Sequence, residues 1–162
     1  MGVCNQRGML MEMRALNDKR EYFRIRLNHP LCATMTIVLV DGQPMKTGST
    51  NVCIKDIGPG GLRFMSHLKL PESKKVILEF DARICGQDYQ FWGSVIRTHK
   101  KEAGVWEYGV EFYIDEATRS KYVYLFNQLA IKLYKYKQWH SCSICTKDEP
   151  AVCLRSRDGE GK

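Results

Sequence analysis

The chain has no stretch of about 18 consecutive apolar residues, so a membrane-spanning helix is not expected. Its first residues, MGVCNQRGMLMEMR, lack an apolar core of signal-peptide length. Gln6 stands where a myristoylation signal needs Ser or Thr. A cytoplasmic location is the expectation. Catalytic motifs are also missing: there is no P-loop and no HExxH. The histidines are His29, His67, His99 and His140, and none accompanies a Ser or Cys nucleophile in a recognisable motif. These absences lean away from an enzyme and toward a binding module. The chain has no internal repeat. Its cysteines number 7, and Cys4, Cys32, Cys53 and Cys85 are scattered singly, which excludes a disulfide framework in a reducing compartment. Cys32 and Cys53 lie in apolar strand-like runs, where a reduced thiol behaves as a small hydrophobe.

What is present fits one domain with terminal extensions: 162 residues, 44% hydrophobic and 27% charged. Lys plus Arg is 25 against 18 Asp plus Glu, a formal +7. That balance suits an anionic partner, whether nucleotide, nucleic acid or acidic membrane surface, and it equally serves solubility.

Residues 1–18 show only a weak helical pattern and form an N-terminal extension. "EYFRIRL" reads as extended, and "LCATMTIVLV" (31–40) alternates, with Ala33, Met35, Ile37 and Leu39 on one side. "DGQP" (41–44) signals a turn. Further strands are expected at "STNVCIKDI", at "GLRFMSH" (61–67), at 74–85, at 89–100 and at 105–114. Gly93 suggests a bulge or a close backbone approach. From Asp115, an expected N-cap, to Lys137 no Gly or Pro occurs. There Tyr122, Leu125, Phe126, Leu129, Leu133 and Tyr136 recur at helical spacing. The fold class is mainly β: a small six-stranded antiparallel barrel with a long C-terminal helix packed on it, over residues 19–137. Residues 138–162 form a cysteine-containing tail. In it His140, Cys142, Cys145 and Cys153 give H-x-C-x2-C-x7-C. This is half of a zinc motif, with no matching second pair, and no metal is assigned to it.

Two short motifs carry the binding chemistry. In "NDKREYFRIRL", Arg20 and Arg24 are four apart, so an extended backbone points both to one side. Guanidinium forks pair with phosphate and with the O6/N7 edge of guanine, and they stack on flat rings. In "VCIKDIGPGGLRF" (52–64), Asp56 is followed by Gly58, Gly60 and Gly61 between two strands. This could be a turn alone, or a place where backbone comes close to a ligand.

R-x-x-x-R from Arg20 to Arg24, followed by D-x-G-x-x-G from Asp56 to Gly61 on a six-stranded barrel, resembles the PilZ domain family. "GGLRF", "GSVIR" and "YGVEF" look like that family's later strands, and the resemblance covers roughly residues 19–135. It implies a split-barrel receptor for cyclic di-GMP, with no other cofactor. Arg20 and Arg24 would hold phosphate and guanine, Asp56 would accept from guanine N–H groups, and Gly61 would admit close approach. Gly58 stands where the family's motif has Ser. A lost hydroxyl contact costs on the order of 1 kcal/mol, and restoring it by Gly58→Ser is expected to tighten binding. The signal is expected to pass by contact to a downstream protein in motility, surface or polysaccharide machinery. Two other readings remain: a PilZ-like interaction module that has lost the nucleotide, and a basic barrel that binds single-stranded nucleic acid through Tyr89, Phe91 and Trp92. Nucleic acid is the less expected partner. Phe91 and Trp92 are adjacent, face opposite sides, and at least one belongs in the core.

Overall fold

The computed structural model describes residues 22–84 and 86–136. The expected N-terminal extension (1–18), the cysteine tail (138–162) with its half zinc motif, and Arg20 lie outside the described residues. Seven strands and a helix occur in the order β1 Ile25–Val40, β2 Gln43–Pro44, β3 Thr50–Gly58, β4 Gly61–Ser66, β5 Val76–Ile84, β6 Gln87–Lys100, β7 Trp106–Phe112 and α1 Glu116–Tyr136. All pairings are antiparallel, in the order β2-β1-β3-β4-β7-β6-β5. A further β1–β5 ladder closes six of them into a barrel. Closure leaves no unpaired edge along those strands. This is the mainly β barrel with a C-terminal helix that the strand pattern predicts. Among the described residues, no helix is long and apolar enough to cross a membrane.

The sequence suggests two extended segments before residue 40; the structure joins them into one strand. The β1–β3 ladder breaks between Arg26 and Leu31, where Pro30 brings no N–H to the ladder. Turn signal 41–44 yields a tight hairpin, with Val40 opposite Gln43. Gly93 marks close approach: a Cβ there would stand 2.5 Å from the Glu111 carbonyl oxygen. The neighbouring bulge instead falls between Val95 and Arg97.

Alternation fills the barrel. Met35, Ile54, Leu62, Phe64, Leu78, Phe80, Tyr108 and Val110 are almost wholly buried. Phe64 meets Phe80 edge-on at 5.1 Å and Tyr108 at 5.2 Å between ring centroids. Such contacts add to the transfer free energy of the buried rings. Helix α1 begins where Asp115 accepts the Thr118 N–H at 2.7 Å. That bond and the nearby Lys121 hold the Asp115 carboxyl below its ordinary value. Its apolar stripe packs Tyr122 and Phe126 onto Phe91 and Phe112, with Leu129 and Ala130 also buried. Phe91 is fully buried and Trp92 exposed, as adjacent strand residues must divide.

Tyr108 ties the segment after β4 to the core. Its hydroxyl donates to the Leu68 carbonyl at 2.6 Å and accepts the Leu70 N–H at 2.8 Å. Tyr108→Phe leaves both backbone groups unsatisfied and is expected to cost about 1–3 kcal/mol, read by urea unfolding. Burial pushes the Tyr108 and Tyr122 phenols above their ordinary pKa of 10.0. The stability from burying them protonated is fully present below that value and is lost as pH rises through the higher folded-state values. Thermal melts should therefore fall above about pH 10, and more shallowly in the Tyr108→Phe protein.

Candidate functional site

The site is built on an irregularity in β3. Ile54 lies opposite Phe64, but the next paired residue is Asp56, opposite Arg63, so Lys55 is the extra residue of a bulge. Ile54 and Ile57 both point into the core. The bulge thus turns two successive side chains, Lys55 and Asp56, to the outer face. A regular strand would have sent one of them into the apolar interior.

Asp56 is 4% exposed and carries two guanidiniums. Arg24 Nη1 lies 3.3 Å from its Oδ1. Arg63 Nε lies 2.7 Å from its Oδ2, a close ion contact whose angle is not that of a hydrogen bond. Arg63 Nη1 then donates to Glu107 Oε1 at 3.2 Å. Glu107 is 3% exposed, and its Oε2 faces Lys55 Nζ at 3.4 Å and Lys101 Nζ at 3.8 Å. Two carboxylates and four cations therefore alternate across β3, β4 and β7. Withdrawing such carboxylates from water is tolerable only with partners this close. The register extends the row beyond Arg63: Gly109 lies opposite Arg63 on one side and Arg97 on the other. Arg63 and Glu107 were not singled out from the sequence.

The segment before β1 lies across the β3–β4 turn. A Cβ on Gly58 would overlap the Phe23 carbonyl oxygen. One on Gly61 would overlap the Val110 carbonyl and stand 3.4 Å from Arg24 Nη2. One on Gly60 would stand 3.0 Å from the Tyr22 ring. Gly60 also accepts the Phe112 N–H at 2.9 Å, which holds the turn against the end of β7. Of the residues expected at the site, the structure brings together Arg24, Asp56, Gly58 and Gly61. Among the described residues, no cluster of His, Cys, Asp or Glu could hold a metal. A surface cavity of about 480 Å³ lined by Cys32, Thr34, Asp81, Arg83 and Asp88 shares no residue with the turn.

Gly58 needs a different account from the one its sequence suggests. With the arm in place, a serine at 58 has no room for its β-carbon, so a restored hydroxyl cannot simply add a contact. Gly58→Ser is expected to displace the arm, speeding amide exchange at 23–26 while the barrel amides keep their protection. Glu107→Gln removes the charge between Arg63, Lys55 and Lys101, and is expected to lower stability by about 2–4 kcal/mol in denaturant titrations.

The comparisons with known proteins agree with the fold. The model of the PilZ domain matches residues 18–128. No curated protein matches the chain. Among solved structures, Bacillus subtilis inhibitor of motility (MotI/DgrA) is 14% identical with a TM-score of 0.51, over 74% of this chain and 54% of that one. YcgR from Escherichia coli, solved in complex with c-di-GMP, is 14% identical with a TM-score of 0.54, over 74% and 50%. MrkH of K. pneumonia in its apo state is 16% identical with a TM-score of 0.52, over 75% and 54%. A MrkH–c-di-GMP complex matches as well. The chain spans about half the length of these structures, and at such identities the likeness shows the fold alone. The family match covers the whole barrel, the first part of α1 and both motifs: the chain belongs to the PilZ domain family.

Proposed function

We propose that the chain is a receptor for cyclic di-GMP, bound on the outer face of the barrel over the β3–β4 turn, and that it acts by protein contact on a downstream partner rather than as an enzyme. The observation that carries this reading is the meeting of Arg24 with the buried Asp56 beside the turn of Gly58 and Gly61. The Arg24 contact, at 3.3 Å, is the longer of the two ion pairs that Asp56 makes. A guanine edge can replace it, donating N1–H and the exocyclic amine to the carboxylate, which is acceptor-only. Arg24 then turns its fork on phosphate or on the O6/N7 edge, and the same role is proposed for Arg20 of the first motif. Asp56 exchanges one set of donors for another, so the carboxylate never loses its partners. YcgR and MrkH were each solved with this nucleotide, which supports the same ligand here.

A second reading, an interaction module without nucleotide, is favoured by one observation: Asp56 is already met by two arginines of its own chain. The nucleic-acid reading is weakened because Phe91 is wholly buried and stacks on Phe112, so the expected aromatic platform is not available. Calorimetric titration with cyclic di-GMP decides between them. Affinity on the order of micromolar or tighter, lost in both Arg24→Ala and Asp56→Ala, supports the receptor. No heat and no thermal shift at about 100 µM ligand overturns it. Tight, salt-dependent binding of unrelated oligonucleotides would favour the nucleic-acid reading.

A further inference from the structure

Of three guanidiniums placed near the turn, two have acids to face among the described residues and one does not. Arg24 and Arg63 share Asp56, and Arg63 also reaches Glu107. The third belongs to Arg119 in the first turns of α1. The helix starts close by, because Phe112, four residues before it, is bonded to Gly60. The Arg119 guanidinium lies over the Tyr22 ring, 5.4 Å from its centroid, and that ring rests on Gly60. Among the described residues its buried Nε meets no hydrogen-bond acceptor, and the guanidinium is in none of the ion pairs. The nearby Asp115 is engaged by the Thr118 N–H. A ring face attracts a cation but accepts none of the directed N–H bonds that the guanidinium offers. A buried N–H left in this state is costly, and a partner arriving from outside is one explanation for it.

The geometry points to Arg119 as a further binding residue of this site, one that takes a phosphate of the nucleotide through its Nε–H and Nη–H fork once Tyr22 moves aside. This rests on the receptor reading for the identity of the anion. Arg119 is supplied by the helix, whereas Arg24 enters from the arm and Asp56 from β3. One ligand touching all three would tie the helix to the occupied site. The fork can take two oxygens of one phosphate side by side; a carboxylate would match it equally well, and the receptor reading selects the phosphodiester.

The test compares the intact chain with Arg119→Ala, Arg119→Lys and Tyr22→Leu, each first confirmed folded by circular dichroism. Cyclic di-GMP affinity should fall about tenfold or more in Arg119→Ala and recover partly in Arg119→Lys. Tyr22→Leu removes the ring but leaves the guanidinium, and should change affinity by less than about threefold. The Arg119 Nε–H resonance, identified by its absence in Arg119→Lys, should shift when ligand is added. Binding within about twofold of the parent in Arg119→Ala, or an equal loss in Tyr22→Leu, overturns the direct contact. If the parent chain does not bind cyclic di-GMP, the receptor reading fails separately. The anion site is then read from the same resonance with inorganic pyrophosphate: a saturable shift sustains it, and no shift at about 10 mM overturns it.

Discussion

The site turns on a carboxylate kept from water on the outside of a barrel. Asp56 is as buried as many core residues, yet it sits on the face opposite the core. Burial of a single carboxylate is prohibitive without cations at contact distance. The chain meets that requirement from two directions at once. Arg63 comes from the neighbouring strand, held in turn by Glu107, and Arg24 comes from the segment that precedes the barrel. The first of these is part of the sheet. The second stands ahead of the ladders that close the barrel.

This division gives the two arginines different standing. Arg63 is fixed by register: it lies directly opposite Asp56 and faces carboxylates on both sides. Arg24 depends on backbone fit, since the arm settles where Gly58 and Gly61 leave no side chain in its way. The glycines therefore serve the arm as well as any ligand. A position that departs from the family's motif, Gly58, is matched to a carbonyl group of the same molecule.

The barrel was legible in the sequence because alternation is a local signal. Ala33 with Met35, and Leu78 with Phe80, declare an inward face without knowledge of partners. The helix was legible for the same reason, from its Asp115 cap and from the recurrence of Tyr122, Phe126 and Leu129. The motif residues Arg24 and Asp56 could be named because two short patterns recur together. Their partners could not. Arg63 and Glu107 look like ordinary outward-facing charges on "GLRF" and "VWEYGVEF", and only the β4–β7 register sets them side by side. The signal that was available is modest: charged residues at outward positions of strands whose other outward residues, such as Cys53 and Met65, are buried. The bulge at Lys55 was likewise hidden, because one extra residue changes the phase of a strand without changing its composition.

The break in β1 has a mechanical consequence. Upstream of it only Ile25 and Arg26 pair with β3, opposite Ile57 and Asp56; downstream, Leu31–Met35 pairs with β3 and Ala33–Val40 with β5. The same strand is thus both the seam that closes the barrel and the stem of the arm, with a hinge between the two. Lifting the arm would unzip two ladder positions and leave the β1–β5 seam that closes the barrel paired.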